Sequence, residues 1–127
     1  MEDISNWDVI IVDDEPSNLG VAELVLEHYG ATVRLAESGE KCLQLLKEGQ
    51  QPTVMLIDIQ MPEMSGFELL DKVREKDVWQ NIPAIAVTAH AMEEDKRRIL
   101  AAGFNGHLRK PINVVTFVDE IMEIVTQ

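Results

Sequence analysis

Four short runs of this chain end in side chains that can do chemistry. "VIIV" (9–12) runs into Asp13, Asp14 and Glu15, "VMLI" (54–57) into Asp58, "AIAV" (84–87) into Thr88, and "GHLR" (106–109) into Lys110. Two carboxylates about 4 Å apart repel by roughly 4 kcal/mol at an effective dielectric of 20. Acids placed so closely must point apart into water, share a proton, or hold a cation. With no His or Cys among them they are hard oxygen donors, suited to Mg²⁺ or Mn²⁺ rather than Zn²⁺. An ammonium and a hydroxyl beside such an ion would complete a phosphoryl site, each serving one oxygen. A carboxylate can also act as nucleophile and carry an aspartyl-phosphate.

That chemistry requires the four run ends to meet. The spacing predicts strands over 8–13, 31–36, 53–58, 83–88 and 106–110, with the more alternating second strand nearer an edge. Between and after them fall helical patterns over 16–30, 38–49, 67–76, 91–103 and 113–125. Pro16 suits a first turn, Ser38 an N-cap, and Gly30, Gly49 and Gly103 are stops. Val21, Leu24 and Val25 are expected to share the inward face of the first helix, Leu43 and Leu46 that of the second. Val114, Phe117, Val118 and Ile121 are expected inward on the last.

Five near-continuous apolar strands alternating with five helices predict an α/β fold, a doubly wound five-stranded parallel sheet covered on both faces. In such sheets ligand sites form outside the carboxyl ends of the strands. Any one polar strand end is explained as a surface residue or a helix cap. Four of them on one sheet edge are not, and they predict a crevice holding three carboxylates, a hydroxyl and an ammonium.

The 127 residues suit one domain with a single well-filled core. A net charge of −12, from 23 acids against 11 bases, argues against direct binding of nucleic-acid phosphates or anionic membranes. Lys96, Arg97 and Arg98 read as a solvated helix face. The lone Cys42 allows neither an intrachain disulfide nor a thiolate metal cage and reads as a small buried hydrophobe. No apolar run approaches the roughly 20 residues needed to span a bilayer, and no signal peptide is evident, so a cytoplasmic location is expected.

The motifs "VDDE", "LIDIQMPEMSG", "IPAIAVTAHAM" and "LRKPI", in this order, closely resemble the receiver domain of two-component response regulators. The resemblance covers essentially the whole chain and is nearest to single-domain and hybrid-histidine-kinase receivers. It implies a chemotaxis-type fold with flavodoxin-like strand order 2-1-3-4-5, one receiver domain over 1–127, and no output domain. It further implies that Asp58 accepts a phosphoryl group from a histidine kinase or histidine phosphotransfer protein. Asp14 would ligate Mg²⁺ directly, Asp13 mostly through water, and Gln60 through its backbone carbonyl. Thr88 and Lys110 would grip the phosphoryl group, and the bond before Pro111 would be cis. Such a domain catalyses its own phosphorylation and slow dephosphorylation rather than turning over a substrate. By the same resemblance a downstream protein reads the face over 91–125, and Gln60 and His90 stand where phosphoryl lifetime is tuned.

His107 stands three residues before Lys110, where the family carries its switch aromatic. Either the imidazole turns inward on activation, adding sensitivity near neutral pH, or it is an exposed histidine without a switching role. Two other classes fit less well. A haloacid-dehalogenase-type phosphatase places its acids at alternate positions after the first strand and carries a cap domain. A flavodoxin-like FMN binder needs a Ser/Thr/Gly-rich loop where this chain has "DDEPS".

Overall fold

The computed structural model describes residues 4–49, 51–90 and 92–126, with the side chains of Pro16, Asn18 and Leu19 excepted. Strands β1 (Asp8–Val12), β2 (Thr32–Ala36), β3 (Val54–Asp58), β4 (Ala84–Thr88) and β5 (Gly106–Arg109) alternate with helices. The helices are α1 (Pro16–His28), α2 (Gly39–Glu48), α3 (Gly66–Arg74), α4 (Glu93–Ala101) and α5 (Phe117–Val125), and a short 3₁₀ turn spans Asp77–Trp79. The sheet is parallel throughout with order β2-β1-β3-β4-β5. This is the flavodoxin-like order, with β2 at an edge.

Alternate residues of each strand enter two cores. Ile10, Val12, Met55 and Ile57 face one side, against α2, α3 and Phe104. Val9, Ile11, Leu56 and Val87 face the other, against α1 and α5. Burial on both faces explains why the central strands carry no polar alternation. Cys42 is buried within the first core, which pushes its thiol up to about 12 and leaves it inert.

Local signals set most boundaries. Ser38 Oγ accepts from the Lys41 N–H at 3.1 Å and opens α2. Ser65 and Glu68 exchange side-chain and backbone hydrogen bonds of 3.1 and 3.2 Å and open α3. Arg74, at the end of α3, donates to the carbonyls of Trp79 and Ile82 at 3.0 and 2.8 Å and fixes the 3₁₀ turn ahead of β4.

Two inward faces differ from expectation. Among the described side chains of α1 the buried ones are Ala22 and Leu26, with Val25 partly buried, whereas Val21 and Leu24 are 44% and 71% exposed. The helix is apolar on more than one side, so spacing alone did not distinguish which side meets the sheet. The last helix begins at Phe117 rather than 113, and Val114 is 53% exposed in the preceding turn. There Asn113 Oδ1 accepts from the Val115 N–H at 3.0 Å, an Asx turn that competes with an earlier helical start. The helix expected over 91–103 runs from Glu93 to Ala101, and Ala91 lies outside the described residues.

Candidate functional site

Strand register builds the site. Val12 pairs with Ile57 and with Ala36, so Asp13 leaves the sheet beside Asp58, the last residue of β3. Asp58 pairs with Val87, and Thr88 pairs with Arg109, which puts Lys110 just beyond. The Lys110 N–H donates to the Thr88 carbonyl at 2.9 Å, and the Lys110–Pro111 bond is cis.

The side chains converge as the register requires. The Lys110 ammonium lies 3.2 Å from Asp58 Oδ1 and 3.4 Å from Asp13 Oδ2. Asp13, Asp14 and Asp58 each offer a carboxylate oxygen within 4.8 Å of the others. Backbone donors orient two of these acids: the Glu15 N–H donates to Asp13 Oδ1 at 2.8 Å, and the Gln60 N–H to Asp58 Oδ1 at 3.2 Å.

Three carboxylates facing one ammonium leave an uncompensated negative charge in a partly desolvated hollow. Burial and then the Asp13 charge push Asp58 from 3.8 up to about 6, against the opposing pull of Lys110 and the Gln60 N–H. Burial alone would lower the Lys110 pKa, but the hydrogen bond and charge of Asp58, then those of Asp13, outweigh it and raise the value. A divalent cation fits this donor set: hard oxygens, excess negative charge, and no competing soft ligand.

Thr88 is buried at the neighbouring strand end, but its hydroxyl serves its own loop. Oγ1 accepts from the His90 N–H at 3.0 Å and donates to the His90 carbonyl at 3.1 Å. Asp13, Asp14, Asp58 and Lys110 are thus brought together directly, and Thr88 adjoins them without bonding to them. The exposed Gln60 meets the cluster through its backbone. His107 is half-buried on β5 opposite Ala86 and makes no side-chain hydrogen bond among the described residues.

Sequence reading overlooked Gly66. A Cβ there would lie 2.5 Å from the Asp58 carbonyl oxygen and 2.9 Å from Ile59 Cα. The Gly66 N–H donates to the Ile59 carbonyl at 2.9 Å, so α3 starts pressed against the chain that carries Asp58. The signal was present as a Ser-Gly pair opening an apolar helical pattern. Phe67 follows, with Arg98 of α4 stacked 4.3 Å over its ring and Phe104 edge-on at 6.0 Å.

Comparison with known proteins agrees with this geometry. The family model of the response regulator receiver domain matches residues 9–122. The polar-differentiation response regulator DivK of Brucella anthropi is 36% identical over 113 residues, covering 89% of this chain and 91% of its own. An uncharacterized 14.6 kDa protein of Leptolyngbya boryana is 39% identical over 127 residues, covering 100% of this chain and 93% of its own. The chemotaxis protein CheY4 of Vibrio cholerae superposes with a TM-score of 0.87 at 28% identity, covering 93% of this chain and 98% of its own. The receiver domain of a Pseudomonas aeruginosa sensor histidine kinase superposes at 0.85 and 25% identity, covering 96% and 99%; its structure has a magnesium ion coordinated in the active-site cleft. Receiver domains act in phosphorylation-dependent two-component signalling, exchanging signals with histidine kinases or phosphotransfer proteins and downstream targets. With its sheet order, its acidic hollow and a family match across most of its length, this chain belongs to the response regulator receiver domain family.

Proposed function

We propose that Asp58 is the phosphoacceptor of this chain and that its phosphorylation switches a partner-binding surface. One Asp58 oxygen attacks the phosphorus of a phosphohistidine on a histidine kinase or histidine phosphotransfer protein. The P–N bond breaks with its electron pair left on the imidazole nitrogen, and an acyl phosphate forms. Asp13, Asp14, Asp58 and the Gln60 carbonyl would hold Mg²⁺, or Mn²⁺, supplying positive charge against the phosphoryl oxygens. Lys110 already donates to Asp58 and is placed to follow the added oxygens. Thr88 serves the phosphoryl group by turning its hydroxyl away from the His90 carbonyl. The observation that carries this reading is the Lys110 ammonium held between Asp58 and Asp13, with three carboxylates within 4.8 Å.

Hydrogen bonds to charged groups contribute about 1.5–3 kcal/mol each. Two of them, from Thr88 and Lys110, supply roughly 3–6 kcal/mol. Moving a two-state equilibrium from 1:99 to 99:1 needs about 5.5 kcal/mol. The upper end of that range meets the requirement, so these contacts come near to completing the switch. The responding surface is the face over 91–125, where Met92 and Leu100 are exposed, and His107 is the candidate switch residue within it. Among the described residues no helix is long and apolar enough to cross a membrane, and we place the chain in the cytoplasm.

The test is phosphoryl transfer from a phosphorylated histidine phosphotransfer protein, followed by intact mass. A gain of one phosphoryl group is expected with Mg²⁺, none with chelator or in Asp58→Asn, and a loss of at least tenfold in rate in Lys110→Ala. Equal uptake by wild type and Asp58→Asn would refute the assignment.

A further inference from the structure

Only residues 89–92 lie between Thr88 and α4, and hydrogen bonds tie that turn to both. The Thr88 hydroxyl holds the His90 N–H and carbonyl, and Asp95 Oδ2 of α4 accepts from the Met92 N–H at 3.2 Å. A turn of the Thr88 hydroxyl toward Asp58 breaks its bond to the His90 carbonyl, so the motion passes to the start of α4.

Helix α4 is lightly held. It buries one side chain, Ile99, whereas α3 buries Leu69, Leu70 and Val73. Its further tie to α3 is Arg98, an exposed residue whose guanidinium carbon lies 4.3 Å over the Phe67 ring. Glu94 and Asp95 precede Arg98 by four and three residues, yet among the described residues it makes no ion pair and lies on the ring instead. Phe67 follows Gly66, whose N–H is bonded to the Ile59 carbonyl next to Asp58. The stack thus joins α4 to the chain that carries Asp58. Arg98, Phe67, Thr88 and His90 also line one cleft of about 60 Å³, so stack and turn are neighbours in space.

A cation on an aromatic face at an exposed site shifts an equilibrium by about two- to fivefold. In a helix anchored by one buried side chain, a shift of that size changes how often α4 and the Thr88 turn leave the observed arrangement. We propose that Arg98 is a positioning residue for the phosphoryl reaction: stacked on Phe67, it holds α4 and the Thr88 turn where the Thr88 hydroxyl is disengaged from Asp58. The inference rests on Asp58 as phosphoacceptor and adds a brake to that reaction. Loss of the stack frees the turn and raises the population in which Thr88 reaches the phosphoryl group. Uptake then becomes faster. An Arg98 that merely attracted an anionic donor would have the opposite sign, because its removal would slow uptake.

The experiment measures the uptake rate of the full chain with acetyl phosphate and Mg²⁺, in which the phosphoryl group passes to Asp58 and acetate leaves. Arg98→Ala and Phe67→Leu are each expected to speed uptake about two- to fivefold, and the double variant no more than either alone. Arg98→Lys, which keeps the charge but not the planar stack, is expected to fall between wild type and Arg98→Ala, and it carries the test if the alanine variant does not fold. Amide hydrogen exchange in α4 of the unphosphorylated chain is expected to quicken in both single variants. Faster exchange with unchanged uptake would reduce Arg98 to structural support and overturn the proposal. Slower uptake in Arg98→Ala, or additive effects in the double variant, would overturn it too. Absence of uptake in wild type, as in Asp58→Asn, would instead overturn the phosphoacceptor reading on which the proposal rests.

Discussion

Asp58 carries the chemistry, and its pKa rises from 3.8 to about 6. The native chain therefore keeps this proton to higher pH than the unfolded chain does. The associated stability is fully present below about pH 4 and is lost as the pH climbs through 6. Above that, the buried charge costs on the order of 1–2 kcal/mol, once screening reduces a full effect of about 3. Metal-free Asp58→Asn is accordingly expected to be more stable than wild type by that amount at pH 8, and equal to it near pH 4. Urea unfolding at the two pH values checks this, and a gain independent of pH would contradict the stated cause. Asp13, Asp14 and Asp58 were legible because they follow apolar runs, and Lys110 because it ends the short strand pattern that Pro111 breaks; parallel strands bring such ends to one edge. The orientation of the Thr88 hydroxyl was not legible. It depends on a two-residue turn to His90 that residue types alone leave undetermined.

Among elements, α3 shows how a helix start can hold a reactive side chain. Gly66→Ala would put a methyl 2.5 Å from the Asp58 carbonyl oxygen, with backbone on the other side of the clash. A loss of about 2–4 kcal/mol is expected, because neither neighbour can rotate away. Phosphoryl uptake should slow as well, which thermal unfolding together with the transfer assay would reveal. At the far end of the same helix, Arg74→Met removes donors from two carbonyls of the turn before β4. A destabilisation of about 1–3 kcal/mol is expected, with transfer unaffected, since Arg74 lies away from the acidic hollow. Helix and strand order were readable from apolar period and from caps such as Ser38. The inward face of α1 was not, because Val21 and Leu24 are as apolar as the buried Ala22 and Leu26. The start of α5 was misplaced because Val114 and Val115 continue the apolar pattern through a turn fixed by Asn113.

For the whole molecule, a net charge of −12 and an acidic hollow make cation binding a matter of overall stability as well as of site chemistry. A ligand that binds only the native chain stabilises it by about 2.7 kcal/mol at one hundred times its dissociation constant. Mg²⁺ at that excess is expected to raise the unfolding temperature of wild type at pH 8. The rise should shrink below about pH 6, where the proton on Asp58 competes for the same oxygens, and vanish in Asp14→Ala. A calorimetric scan with and without metal decides it, and an unchanged rise in Asp14→Ala would remove that residue from the donor set. Of the acids in the hollow, one alone is proposed to act as the nucleophile. Peptide-resolved mass spectrometry of the phosphorylated chain tests this most directly. The phosphoryl group is expected on the peptide carrying Asp58 alone; finding it on Asp13, Asp14 or a histidine would overturn the assignment.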